Sequence, residues 1–245
     1  MEILIWNTYL ISEFLSNIEL FYTSSEFISE NKIHLCGEEF NHAVKVMRYK
    51  SGDKIYITNG AGKINKCLIQ NISKEALEAS IIDSIQYQNK FEKIIFCLPK
   101  LKNPERVKFS IEKCVELGVT NFVLVNSDRT ISKNNNIDRW NKIALAAMKQ
   151  SLRSFMPNIS MIGNLDSIAK LPGEKIIFEQ NSQQTLASLK LKNEITYFIF
   201  GPEGGFSERE LNIFDQINIY RVARNRLRSE TAVIFAASFL NQKIE

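Results

Sequence analysis

An α/β protein in two parts, a small β-barrel followed by a parallel-sheet domain, is predicted by three features of this 245-residue sequence. Residues 19–86 alternate apolar and polar positions in short runs broken by frequent turns, as strands of a small all-β module do. After Lys93 the rhythm changes to strand, helix, strand, helix, which builds a mainly parallel sheet. Near the C-terminus two special turns, 201–205 and 224–228, each join an apolar run to a helix-start signal. In open α/β sheets ligands bind at such strand ends, where backbone groups are not used by the ladder and helix N-termini point outward.

The elements follow in chain order. Residues 1–18 are apolar-rich but carry Glu2 and Glu13. They lack the positive start and small-residue cleavage site of a signal peptide, and are too short and charged for a membrane span. They are expected to form an N-terminal helical extension, or to reflect a start assigned too far upstream, because a convincing strand begins only at Leu20-Phe21-Tyr22. Strands are expected at 32–36, 54–58, 66–70 and 79–82, with a hairpin turn at 59–62. One helix, 38–47, interrupts them, with Phe40, Val44 and Met47 on one face. The polar stretch 87–92 reads as a linker.

In the second part, 94–98 is a buried strand and Asn103-Pro104 a cap with an N1 proline. Val107, Ile111, Cys114, Val115 and Leu117 form a helical stripe ended by Gly118. A strand at 122–125, a loop at 132–136, a long helix at 140–153 and a strand at 175–179 come next. Residues 195–200 are a further strand. Ser207 with Glu210 makes a capping box for a helix running through Phe214. The strand 217–222 precedes Ser229, which caps an apolar helix from Ala232 to Leu240. The domain limits are thus 1–18, an extension; 19–86, the barrel; 87–92, the linker; and 93–245, the α/β domain.

Composition narrows the chemistry. Lys and Arg number 31 against 27 Asp and Glu, a net charge of +4, compatible with an anionic partner without requiring one. Cys36, Cys67, Cys97 and Cys114 show no metal or redox spacing and read as reduced thiols of a cytoplasmic protein. Only His34 and His42 are present, so no metal site is expected and histidine triads are poorly supported. There is no Gly-x-x-x-x-Gly-Lys-Ser/Thr and no Gly-x-Gly-x-x-Gly after a strand, so P-loop and dinucleotide sites are disfavoured. Gly201-Pro202-Glu203-Gly204-Gly205 alone is also compatible with an ordinary tight turn.

Taken together, Phe200-Gly-Pro-Glu-Gly-Gly-Phe206 and Arg226-Leu-Arg-Ser-Glu-Thr-Ala232 closely resemble the C-terminal half of the RsmE-type methyltransferases of small-subunit ribosomal RNA, in the SPOUT class. The resemblance extends in order through Gly37-Glu-Glu-Phe-Asn-His-Ala-Val-Lys-Val-Met-Arg48, Glu112-Lys-Cys-Val-Glu-Leu-Gly-Val119, Ser127-Asp-Arg-Thr130, and Met148-Lys-Gln-Ser-Leu-Arg153 with Met156-Pro157. It covers the chain from about Leu20 onward. The chain departs from the commonest family pattern at Lys149, Phe155, Ala223, Asn225 and the placing of Arg226.

The resemblance implies an N-terminal PUA-like barrel that docks RNA and a C-terminal SPOUT α/β domain with a deep trefoil knot. It implies S-adenosylmethionine as cofactor, held by Glu179, Phe200, Gly201, Pro202, Glu203, Gly204, Gly205, Val222, Leu227, Arg228 and Thr231. The reaction implied is methylation of N3 of a uridine in 16S ribosomal RNA, in the assembled small subunit, by a cytoplasmic homodimer. Two rivals stay open: a SPOUT methyltransferase acting on another RNA or a ribose hydroxyl, and a non-catalytic ribosome-assembly binding protein.

Uracil N3 is a poor nucleophile until its proton leaves, whereupon negative charge spreads to O2 and O4. Guanidinium donors aimed at those oxygens would stabilise that charge. Arg228 is the first candidate, because its turn abuts the cofactor; Arg153 and Arg129 follow. Glu230 would accept the proton or hold Arg228, and the second role is preferred. RNA phosphate contacts are expected from Lys45 and Arg48 on the barrel helix and from Lys100, Lys102, Arg106 and Arg129.

Overall fold

A computed structural model describes residues 17–130, 136–214 and 218–244. The expected N-terminal helix and the loop at 132–136 fall almost wholly outside the described residues. The chain divides into two units, Met1–Gln88 with Met148–Met156, and Asn89–Ala147 with Pro157–Glu245.

In the first unit, strands β1 (Leu20–Tyr22), β2 (Lys32–Cys36), β3 (Lys54–Thr58), β4 (Lys63–Ile72) and β5 (Ala76–Gln86) form one sheet in the order β1-β3-β4-β5-β2. β2 shows why: Ile33 and Leu35 are buried while Lys32, His34 and Cys36 are exposed, the period-two alternation of a half-buried strand. Ile33 and Leu35 join Phe21, Phe40, Ile55, Ile57, Ile69 and Leu77 in the core. β4 and β5 run longer than their apolar runs suggest, because bulges between Lys66 and Cys67 and between Ile69 and Asn71 restore the register.

The helix expected at 38–47 is only partly α-helical. Helix α1 (Gly37–Asn41) gives way to a π-turn over His42–Val46, with Met47 N–H donating to the His42 carbonyl at 2.9 Å. The wider turn rotates the following residues, so Met47 leaves the core face and lies exposed, while Tyr49 packs edge-on against Phe21. Residues 154–156 are strapped to the β3–β4 turn by Gly62 N–H to the Ser154 carbonyl and Met156 N–H to the Gly60 carbonyl, both 2.8 Å. A Cβ at Gly62 would lie 2.5 Å from the Phe155 ring, so the strap needs glycine there. Lys149 is ion-paired with Glu39, which also accepts the Tyr22 amide.

The second unit is a six-stranded, all-parallel sheet in the order β11-β9-β10-β6-β7-β8. Its strands are β6 (Ile94–Pro99), β7 (Asn121–Val125), β8 (Asn158–Ile162), β9 (Glu174–Phe178), β10 (Thr196–Phe200) and β11 (Ile219–Tyr220). β10 is buried at every position, as expected of a parallel strand covered on both faces. Phe178 and Phe200 stack at 4.8 Å, with Phe96 5.3 Å from Phe200, so aromatic packing fixes β6, β9 and β10 side by side.

Helix α2 (Pro104–Glu116) starts as expected, with the Asn103 side chain accepting from the Glu105 amide and Pro104 in the first turn. Gly118, at φ +95°, follows its end. Helix α3 (Ile137–Gln150) stops short of the expected 153: Leu152 takes φ +56°, and Arg153 lies beyond the helix. Neither β8 nor the five-residue α4 (Leu165–Ala169) is marked by a strong sequence period. Helix α5 (Glu208–Leu211) has the expected capping box but only four residues. The last helix, α6 (Ser229–Ile244), packs along α2, with Asn241 Nδ2 donating to the Leu117 carbonyl at 2.9 Å. No helix among the described residues is long and apolar enough to cross a membrane.

Candidate functional site

The carboxyl ends of the three neighbouring strands β9, β10 and β11 open into one cavity of about 880 Å³. The turn after β9 contributes Glu179, Gln180 and Asn181, that after β10 residues 201–206, and that after β11 Val222 and Arg226 to Ser229. Phe178, Phe200 and Leu227 give the cavity apolar wall, Ala232 lines it from α6, and Arg106 reaches it from α2.

Each turn is tied down by a specific contact. Ser229 Oγ donates to the Gly201 carbonyl at 2.8 Å, so the start of α6 is fastened to the glycine-rich turn. This replaces the expected capping role of Ser229. Gln180 Nε2 donates to the carbonyls of Ala223 and Arg224, at 3.3 and 2.9 Å, and sets the entry of the basic turn. Those bonds use backbone atoms, so the alanine at 223 does not disturb them. Gly205 sits at φ +70°, a left-handed conformation that glycine adopts without strain.

Arg106 joins two of the three pocket elements. Its Nε and Nη2 donate to Glu230 Oε2 at 2.8 and 2.5 Å, and its Nη1 donates to Glu203 Oε1 at 2.6 Å. Burial would push the Glu230 carboxyl up, but the hydrogen bonds from Arg106, its own backbone amide, and the charges of Arg106 and Arg228 outweigh this and hold it below the ordinary glutamate range. The hydrogen bond to Glu230 in turn raises the Arg106 guanidinium. Glu230 is therefore a paired carboxylate, bonded to Arg106 rather than to Arg228.

Behind the turn lies a second network. Arg129 Nη1 donates to the Gly204 carbonyl at 2.6 Å, and its side chain lies over Gly204, where a Cβ would come within 3.3 Å of Arg129 Cδ. Its neighbour Asp128 accepts from Arg209 Nη2 at 2.8 Å and from Ser207 Oγ at 2.5 Å. Those bonds hold the Asp128 carboxyl down at about 2. Buried Glu210 accepts the amides of Asp128 and Ser207, each at 2.8 Å, and so locks the loop after β7 to the start of α5.

Of the residues expected at the cofactor, Glu179, Phe200, Gly201, Pro202, Glu203, Gly204, Gly205, Val222, Leu227 and Arg228 line the cavity. Thr231 does not; it lies on the exposed side of the first turn of α6, and Ala232 faces the cavity instead. Arg228 lines the cavity, whereas Arg153 belongs to the first unit and is not among the lining residues. Lys45, Arg48 and Lys102 are exposed. Lys100 is only 8% exposed, so little of its side chain reaches the surface, and burial lowers its ammonium pKa. Arg106, expected at a phosphate, is half-buried and engaged by Glu203 and Glu230, whereas Arg129, also expected there, is exposed, with its Nη1 donating to the Gly204 carbonyl. Gln180, Asn181 and Ser229 also line the cavity, and their only sequence signal is a position directly after a strand or before a helix.

A family model described as an RNA methyltransferase domain matches residues 88–241, and one described as an RNA methyltransferase PUA domain matches residues 35–82. The chain is 26% identical over 230 residues to ribosomal RNA small subunit methyltransferase E of Bacillus subtilis, covering 86% of this chain and 90% of that protein. It is 28% identical over 238 residues to ribosomal RNA small subunit methyltransferase E 1 of Borreliella burgdorferi, covering 91% and 96%. Among solved structures, ribosomal RNA small subunit methyltransferase E of Neisseria gonorrhoeae, bound to S-adenosyl methionine, superposes with a TM-score of 0.80 at 26% identity. That match covers 93% of this chain and 98% of the other.

Proposed function

The chain belongs to the RNA methyltransferase family, and from that premise we propose that it methylates N3 of a uridine in 16S ribosomal RNA, with S-adenosylmethionine as methyl donor. The observation that carries this reading is the convergence of the turns after β9, β10 and β11 on one cavity within the matched domain. The residues present fit the cofactor. The cavity volume is within the range of about 300–1,000 Å³ usual for small-molecule sites. Leu227, Val222 and Phe178 offer apolar contact to a purine, and the backbone of residues 201–205 offers hydrogen-bonding groups at close approach. When bound, S-adenosylmethionine supplies an electrophilic methyl group on a positively charged sulfur.

The remaining chemistry belongs to the chain. Arg228 and Arg226 line the cavity, and neither guanidinium has a hydrogen-bond or ion-pair partner among the described residues, so their donors are open to a base. They would bond to O2 and O4 as the N3 proton passes to solvent water and N3 takes the methyl group, and so stabilise the developing negative charge. Glu230, already paired with Arg106, positions the rim rather than accepting the proton. Leu227 and Phe200 exclude water from one wall.

Lys45, Arg48 and Lys102 are the phosphate contacts of this reading. The domain limits proposed are 19–86 for RNA docking, 87–92 for the linker and 93–245 for catalysis. The C-terminal segment threads as a trefoil knot, a reading supported by the fastening of Ser229 to Gly201 and the return of α6 along α2. The protein is a cytoplasmic homodimer, and exposed Phe109 and Phe235 on those helices support an apolar face between two copies.

Calorimetric titration tests the cofactor half. S-adenosylmethionine and its demethylated product should each give saturable binding heat with the purified protein; no heat from either overturns the methyltransferase reading and leaves the binding-protein rival.

A further inference from the structure

We infer that the exposed tip formed by Val46 and Met47 in the first unit contacts an unpaired RNA base, so that this element reads single-stranded rather than duplex RNA. The inference rests on the RNA-docking reading above and adds what kind of RNA the tip recognises.

The argument begins with a misplaced apolar pair. On an unbroken α-helix, Phe40, Val44 and Met47 would share a face, and Met47 would enter the core. The π-turn at His42–Val46 instead inserts one residue and turns Met47 outward, leaving Val46 65% and Met47 43% exposed. Single π-turns are rare and occur frequently at functional sites. The next residue, Arg48, takes φ +60°, a left-handed conformation that costs a side-chain-bearing residue about 1–2 kcal/mol. Two local departures from regular geometry thus combine to leave much of two apolar side chains open to solvent.

The flanking charges identify the occupant. Lys45, Arg48 and Lys50 are exposed, residues 42–50 contain no acidic side chain, and none of the three cations has a side-chain partner among the described residues. Cations on both sides of an exposed apolar pair match a polyanion with exposed base faces: phosphates meet the charges, and a base meets the apolar surface. A-form duplex RNA keeps its bases stacked inside and its major groove closed to side chains, so only an unpaired or unstacked nucleotide offers that face. Methionine and aliphatic wedges contact unstacked bases elsewhere in nucleic-acid recognition.

The test uses the full-length protein, a fluorescent RNA hairpin with an unpaired loop, and a fully paired duplex of the same stem, titrated by anisotropy across a range of salt. The wild-type protein should prefer the hairpin. The double variant Val46→Ser/Met47→Ser should lose about tenfold in hairpin affinity, with its salt slope and duplex affinity unchanged. Lys45→Ala/Arg48→Ala should weaken both RNAs and lower the salt slope by roughly the two phosphate contacts removed. Melting curves check that each variant is folded.

The inference is overturned if the Val46→Ser/Met47→Ser protein binds the hairpin like wild type, if it loses both RNAs equally, or if wild type binds neither. It is also overturned if sedimentation shows that this variant alone has lost a dimer, since the tip then faces a second copy. Calorimetry with S-adenosylmethionine on the same preparations keeps the two readings apart. Cofactor heat without hairpin preference sinks the tip alone, while a hairpin-specific loss without cofactor heat sinks the methyltransferase reading alone.

Discussion

Arg106 and Arg129 have their guanidinium groups engaged by the protein itself, on Glu203, Glu230 and the Gly204 carbonyl. Arg226 and Arg228, which line the same cavity, have no side-chain hydrogen-bond or ion-pair partner among the described residues. All four are cations beside one cavity, and residue type does not separate them. The difference is whether a guanidinium donor is already bonded to the protein. An engaged guanidinium holds a carboxylate or carbonyl in place, and its removal leaves those groups unpaired; an open one waits for charge that appears only when substrate reacts.

The comparison predicts different failures. Arg228→Ala should lower turnover by about 10²–10³-fold, the loss typical of one donor to a developing oxyanion. Its affinity for S-adenosylhomocysteine should stay within about tenfold of wild type, as measured by calorimetry beside single-turnover methyl transfer. Equal loss of both would move Arg228 from the base to the cofactor.

Arg106→Ala should act in the opposite sense. It leaves Glu230 buried without its partner and should destabilise the fold by about 2–3 kcal/mol, seen as a lower midpoint in urea. Cofactor affinity should fall with it, whereas RNA affinity in a gel-shift assay should not; selective loss of RNA binding would return Arg106 to the phosphate contacts. Arg106→Lys restores the charge without the forked geometry that spans two carboxylates, so it should recover only part of the loss.

Gly205→Ala is a smaller perturbation. An L side chain at φ +70° costs about 1 kcal/mol, and the expected result is a modest drop in stability with weaker cofactor binding. Unchanged binding would show that the turn need not keep this shape.

The smallest effect is one of pH. Asp128 has a folded-state pKa of about 2, below the ordinary aspartate value, because of its bonds from Arg209 and Ser207. A depressed carboxyl stabilises the fold above its unfolded pKa, and that contribution is lost as pH falls from near 4 toward 2. Urea midpoints of wild type should therefore fall more steeply with acid over that window than those of Asp128→Asn. Parallel curves would remove Asp128 from the support of the turn.

Much of this site is legible in sequence because its determinants are local. Gly201 to Gly205, the capping box of Ser207 and Glu210, and the strand runs before them each sit within one turn of the feature they create. The same holds for β2, whose alternation is complete over five residues. What is not legible is set by distant partners or by deviations from a period. Arg106 and Glu230 lie 124 positions apart, and nothing local marks Arg106 as paired rather than solvated. Ser229 has the residue type and position of a cap, yet its hydroxyl goes to Gly201, 28 residues away. The π-turn leaves the apolar spacing of a regular helix intact in the sequence while moving Met47 to the other side. β8 escapes because only Ile159 among its five residues is fully buried, so no alternation announces it.

The most direct measurement is to incubate the purified protein with methyl-labelled S-adenosylmethionine and small ribosomal subunits lacking the modification, digest the RNA, and identify the labelled nucleoside by mass spectrometry. Label in 3-methyluridine is the predicted result and establishes reaction, substrate and atom together. Label in another nucleoside or at a ribose hydroxyl, or no label in competent subunits, would contradict the proposed reaction.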